Sequence, residues 1–331
     1  MQQREAFFDN GKLILIFLVV FGHVIQPLTT ESLVLLTLYR FIYLFHMPAI
    51  ILLSGFFAKG IGEPKYLLSL IRKLIVPYLI FQTFYTALYY FTTDSGWDTP
   101  LFEPHWSLWF LLSLFSWHIL LILYKRLPAK LGIGLTIIIG LLIGYMDGIG
   151  HEFSLSRTFV FFPFFLVGYW LSSEQLRRLS SAKVRAIALL VMAGVIIVLF
   201  IGADFQIGWL FGSGSYASLD RPNSGALIRL LVYLVAFVLS FSFYAWTPRK
   251  SYRLTKFGQQ TIYVYLLHGF FVQAFREYET IQINDGFDFV VAVFISIAIV
   301  LLLASKPIFI SFQPIIETKA TELKNLTGKP G

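Results

Sequence analysis

The chain has 331 residues, of which 57% are hydrophobic and only 13% charged; its mean hydropathy is +0.74 and its formal net charge +8. A soluble domain carries about a quarter charged residues, so a water-soluble globular enzyme is excluded. The lack of cysteine removes disulfides, thiolate nucleophiles, cysteine-ligated zinc, iron–sulfur clusters and palmitoylation. The apolar runs are continuous and reach the roughly 20 residues that cross a bilayer as a helix, where a β-barrel would alternate. Taken in order they predict ten spans: 11–29, 34–58, 66–92, 106–124, 131–146, 155–172, 184–202, 226–246, 260–276 and 288–312. The first is too long for a signal-peptide core and lacks a small-residue cleavage pattern, so it reads as a retained span. The fifth is short and glycine-rich, hence tilted, broken or tightly packed. The segment 203–225 has the Gly/Ser/Asp/Pro chemistry of an ordered loop.

The expected fold is therefore an all-α integral membrane protein, a bundle of about ten transmembrane helices. It forms a single transmembrane domain over 1–312, followed by a polar tail over 313–331. The N-terminal segment and every second connection together hold 21 of the 26 basic residues and 6 of the 18 acids. That asymmetry places both termini in the cytoplasm, with the protein in the cell membrane. The basic balance thus reports topology and gives no reason to expect nucleic acid as a partner.

Ionisable groups inside spans are costly and are functional candidates by default. They are His23, Arg40, His46, Arg72, Lys73, His118, Arg157, Arg229 and His268. Lys12 and His23 are eleven residues apart, which brings both to one helix face about 16 Å apart along the axis. A ligand touching both would be elongated, anionic at one end and reactive at the buried tip, as an acyl-coenzyme A is. The competing reading is a snorkelling lysine and a histidine in a helix–helix hydrogen bond.

Arg40 and His46 lie about 120° off a shared face. His46, in "FHMP", either serves the reaction centre or ties a break or kink at Pro48. Arg40 would stabilise an oxyanion or meet an acceptor, or else pair with an acid such as Glu31. Arg157 opens the sixth span at the outer side and is read as an acceptor contact, with interface anchoring as the alternative. So is the segment "TDSGWDTPLFEPHW", with His105 and Trp106, although Trp97 and Trp106 equally suit an interfacial belt. His268 and His118 read as core histidines, His268 with the alternative of supporting His23. His105, Asp147, His151 and Glu152 show no ligand spacing such as H-E-x-x-H, so no metal is expected.

Six stretches in order carry a family resemblance: "REAFFDNGKLILIFLVVFGHV", "YRFIYLFHMPAIILLSGFFAKG", "RKLIVPYLIFQ", "HWSLWFLLSLF", "RTFVFFPFFLVGY" and "GQQTIYVYLLHGF". The chain resembles the membrane acyltransferase-3 family, in particular its fucose 4-O-acetylase-like and exopolysaccharide O-acyltransferase branch. The resemblance implies transfer of an acyl group, usually acetyl, from cytoplasmic acyl-CoA to a sugar hydroxyl on an outward-facing or lipid-linked glycan. It makes His23 the essential histidine, Lys12 its basic partner, and Arg72 and Lys73 the cations before the third-span proline, Pro77. Many members show Arg-x-x-Arg there, whereas this chain has the adjacent pair. No extracytoplasmic SGNH-type domain follows the last span, so any onward transfer requires a direct acceptor or a partner in polysaccharide synthesis.

The chemistry expected of His23 is removal of the hydroxyl proton as a general base, with an acyl-imidazole relay as the rival. No G-x-S-x-G elbow offers a serine nucleophile. The other functional classes are a proton-coupled transporter or glycan exporter, and a non-catalytic subunit of a polysaccharide-synthesis complex.

Overall fold

The computed structural model describes residues 6–30, 32–60, 64–92, 97, 101–149, 152–202, 205–277 and 286–319. Among them every regular element is helical: α1 (Ala6–Ile25), α2 (Leu33–Phe57), α3 (Pro64–Leu70), α4 (Val76–Thr92), α5 (Trp109–Tyr124), α6 (Ala129–Leu142), α7 (Leu155–Trp170), α8 (Ser173–Arg178), α9 (Ala182–Ile201), α10 (Gly208–Phe211), α11 (Gly225–Trp246), α12 (Thr261–Glu277), α13 (Gly286–Leu303) and α14 (Lys306–Ile316).

Helices thus occupy each predicted apolar run, but fewer than ten have the length and apolarity of a spanning helix. Among the described residues six do: Ala6–Thr30, Leu33–Gly60, Lys65–Thr92, Trp106–Tyr124, Ala182–Ile201 and Gly225–Trp246. Ala129–Tyr145 and Leu155–Trp170 are apolar but shorter. The run expected as one span over 288–312 is two helices, bent by 63° between α13 and α14. Pro307 accounts for the break. Proline is tolerated in the first turn of a helix and not in its interior, so the chain restarts at Lys306, after Ser305. α14 then carries the start of the polar tail, with Gln313 and Ile316 buried. Pro48, by contrast, ends nothing, and α2 runs on through it to Phe57.

The described residues gather into two compact units interleaved along the chain, one from 1–31, 68–101 and 247–331, the other from 32–67 and 102–246. In the first unit, α1 and α12 run parallel. Gly258, ahead of α12, lies so close to the backbone of Asp9 that a Cβ there would strike its carbonyl. Further along, the rings of His23 and His268 meet, and Arg276 reaches Gln26. Asn10 pins the start of α1. Its Nδ2 donates to the carbonyls of Pro248 and Lys250, each at 2.9 Å, and its Oδ1 accepts from Thr255 Oγ1 at 2.7 Å. Elsewhere in the unit, Tyr85 of α4 donates to Leu266 O and stacks on Phe270, and Tyr263 of α12 donates to Glu317.

Asn10→Ala would leave two partly buried carbonyls and a buried hydroxyl without their partner. At about 1–3 kcal/mol per stranded group, less what water recovers, a loss near 3 kcal/mol is expected. Thermal unfolding in detergent reads it directly.

In the second unit, α2 and α7 cross at two glycines. A Cβ on Gly55 would meet the carbonyl of Phe165, and one on Gly168 that of Leu52, the small-residue contact by which helices approach closely in lipid. Trp117 of α5 donates to Thr158 O at 2.7 Å, and Tyr244 of α11 to Ala49 O at 2.7 Å. The glycines of the fifth run turn out to serve tight packing. Gly140 faces the Tyr233 hydroxyl and Gly144 the Tyr216 ring. Tyr216 belongs to the ordered stretch 205–225, whose Trp209, Tyr216 and Leu219 form a small core of their own. α9 buries only Ala188 and Leu199, leaving an apolar surface of the kind that lipid covers.

Candidate functional site

The site is built on α1. Asp9, 2% exposed, lies one turn before Lys12, and Lys12 Nζ donates to Asp9 Oδ1 at 3.1 Å. The other carboxylate oxygen, Oδ2, accepts from Gln259 Nε2 at 3.3 Å. The lysine charge is therefore matched and steered within its own helix. His23 falls in the last turn of α1, which closes two residues later. Its ring is half-buried and faces the ring of His268 on α12, with centroids 5.6 Å apart and planes 35° apart.

His268 is fully buried, and its Nδ1 lies 2.9 Å from Val264 O and 2.8 Å from Tyr265 O. Carbonyls only accept, so these partners assign the proton to Nδ1 and the lone pair of the neutral ring to Nε2. His46 and His118 are anchored the same way, on Ile42 O at 2.8 Å and Leu114 O at 2.7 Å.

Past the two histidines, the same helices carry polar groups. Arg276 Nη2 donates to Gln26 Oε1 at 2.8 Å, and Gln273 Nε2 to the Tyr89 hydroxyl at 2.7 Å. Sequence reasoning passed over Gln26, Arg276 and Gln273. The eight residues from His268 to Arg276 turn through about 800°, some 80° past two turns, so helical spacing alone did not align them. Asp9 was passed over too, although its place three residues before Lys12 puts the two on one helix face.

Arg72 and Lys73 are exposed on a wide turn over Ile71–Ile75, in which the Val76 N–H reaches back five residues to Ile71 O. Pro77 accounts for it: without an N–H it cannot bond the Lys73 carbonyl, and its ring crowds that oxygen. Such π-type turns recur at functional sites. The first unit thus holds Lys12, His23, Arg72 and Lys73.

The remaining candidates lie in the second unit. Arg40 is buried, 4% exposed. Its neighbour Tyr39 stacks on Tyr43 at 3.9 Å, and Tyr43 meets the His46 ring edge-on at 4.6 Å. Glu31, the acid suggested for Arg40, lies outside the described residues, as does His151. Arg157 donates through Nε to Phe211 O at 3.3 Å and rests over Trp109, its Cζ 5.2 Å from the ring centroid. Trp109 belongs to the same "HWSLW" stretch as His105 and Trp106.

The backbone there is strained. Trp106, Phe153 and Ser154 have φ of 45°, 49° and 53°, unusual for residues with side chains, and such strain concentrates at functional sites. The two segments touch: Phe153 N–H donates to Phe102 O at 2.8 Å and their rings stack. Burial holds the His105 imidazole below its usual pKa, with Glu103 drawing it partly back. The ring is therefore neutral at physiological pH.

Comparison with known proteins identifies the family. A family model described as an acyltransferase domain matches residues 5–305, from just before Asp9 to the bend at Ser305. The chain is similar to nodulation protein NolL of Sinorhizobium fredii (strain NBRC 101917 / NGR234), 25% identical over 315 residues, covering 86% of this chain and 82% of that protein. No solved structure matches. The match over nearly the whole described length establishes that the chain belongs to the acyltransferase-3 family, as a helical membrane protein.

Proposed function

We propose that the protein is a membrane O-acyltransferase that moves an acetyl or other short acyl group from cytoplasmic acyl-CoA to a hydroxyl of a cell-envelope or secreted glycan. The observation that carries this reading is the His23–His268 pair, set on parallel helices in the same unit as Lys12, Arg72 and Lys73. In the proposed topology the helical segments form ten passes of the cytoplasmic membrane, with both termini inside. The ends of α1 and α12 that hold Lys12 and Gly258 then face the cytoplasm. Exposed Arg72 and Lys73 receive the phosphates of the donor, while Lys12, steered by Asp9, lies beside its path. The thioester extends along α1 to His23.

The acceptor oxygen attacks the thioester carbonyl as His23 takes its proton. The C–S bond then breaks, and the departing thiolate receives the proton from the imidazolium. Direct attack needs nothing from the protein beyond placement, a base and charge stabilisation. Gln26, Arg276, Gln273 and Tyr89, beyond the histidines, offer hydrogen bonds to a hydroxyl-rich acceptor. Arg157, Trp106 and His105 remain proposed acceptor contacts, and Arg40 and His46 proposed participants at the reaction centre.

Purified protein given radiolabelled acetyl-CoA and candidate glycans tests the reading. Label transfer, or slow hydrolysis that requires His23, supports it; accumulation of glycan in vesicles without any acyl transfer would favour an exporter. The charge pair has its own signature. Arg72→Gln with Lys73→Gln should weaken acetyl-CoA binding about tenfold at low salt, the effect of one lost charge-assisted hydrogen bond. The difference should shrink as salt screens exposed charges. Equal affinity of variant and parent at low salt would remove the pair from the donor site.

A further inference from the structure

Arg229, on α11 in the second unit, is 2% exposed and takes no part in the chemistry above. The residue lines a cavity of about 20 Å³ walled by rings that include Tyr43, Phe161, Phe164, Trp209 and Tyr233. The surroundings satisfy it only in part. Nη2 donates to Gly214 O at 3.2 Å, and the group lies over the Tyr216 ring, its Cζ 5.2 Å from the centroid. Nε and Nη1 are buried with no hydrogen-bond partner.

No carboxylate lines the cavity, and Asp220 on the neighbouring loop is exposed. Nor does Tyr216 supply a counter-charge, because burial raises its pKa and keeps the phenol neutral. An isolated buried cation is costly, and proteins normally compensate it with a partner. Arginine cannot escape by losing its proton. Among the described residues none supplies Arg229 with a compensating charge. The cavity volume admits one monatomic ion or a water or two, which excludes a sugar, an acyl chain or a phosphate. Ring edges, which carry the positive end of the aromatic quadrupole, suit an anion.

We propose that this cavity is a binding site for a single small halide, chloride in the cell, held by Nε and Nη1 of Arg229. The site locks the stretch 205–225 onto α11 and requires no acyl donor or acceptor.

Thermal unfolding of the purified protein, with chloride exchanged for gluconate at constant ionic strength, is the first measurement. Chloride should raise Tm saturably by about 2–4 °C at a hundredfold excess over Kd. Arg229→Gln should abolish the dependence. Because that variant risks misfolding, the second measurement uses the unaltered chain: crystals grown in sodium bromide should show an anomalous peak against the guanidinium. A Tm indifferent to chloride, or a bromide map in which the cavity holds only water, would overturn the proposal.

Discussion

His23→Ala is expected to lower acyl transfer by about 10³-fold, within the 10²–10⁴ range that a positioned general base contributes, and to leave acetyl-CoA affinity within about twofold. The split follows from position. His23 stands in the last turn of α1, eleven residues from Lys12, so in the proposed pose its loss touches the reacting end of the donor alone. His268→Gln should act differently. The amide cannot titrate, and it replaces a ring whose Nδ1 is fixed on two backbone carbonyls. If His268 orients His23, the variant keeps its Kd, loses about tenfold in kcat, and shifts the pH profile of kcat/KM, a readout that a packing role would not move. Transfer assays paired with equilibrium binding, each over a range of pH, check both substitutions. A His23→Ala protein that folds and still acylates normally would remove the histidine from the mechanism.

The second large effect is structural. Gly168→Ala drives a methyl onto the Leu52 carbonyl, and Gly55→Ala onto that of Phe165. Neither obstacle is a flexible side chain that could swing aside, so the helices must separate along the crossing. Overpacking of this kind costs about 1–3 kcal/mol, occasionally more, and at a backbone-to-backbone contact the upper end applies. Each variant should lose about 3 kcal/mol. The two sites share one crossing, so the double variant should lose clearly less than the sum; once the helices have parted for the first methyl, the second finds room. Unfolding midpoints of the two single variants and the double variant in detergent measure the coupling. Additive losses would show that the two contacts are independent.

What the sequence could disclose follows from which forces are local. Apolar runs are local, so α2 and α9 begin within two residues of the predicted runs, after the Ser32 and Ser181 caps. The common face of Lys12 and His23 needs only helical arithmetic. Tertiary partners are another matter. That His23 meets His268 depends on α1 lying parallel to α12, a packing choice that no periodicity encodes.

Pro48 and Pro307 act differently because of where they stand. Each removes one N–H, yet Pro48 lies inside a largely buried helix that continues through it. Pro307 lies where α13 has run out and a new helix can begin with the proline in its first turn. The interleaving of the two units is likewise invisible to a linear reading, since both draw segments from early and late in the chain.

The central claim is a direction: donor phosphates at Arg72 and Lys73, acyl carbon at His23. A structure of the protein with a thioether analogue of acetyl-CoA, which cannot react, tests it most directly. The account predicts density running along α1 from the Ile71–Ile75 turn, with the carbonyl within hydrogen-bonding range of the His23 ring. A nucleotide bound in the other unit, or an acyl end that lies away from His23, would contradict it.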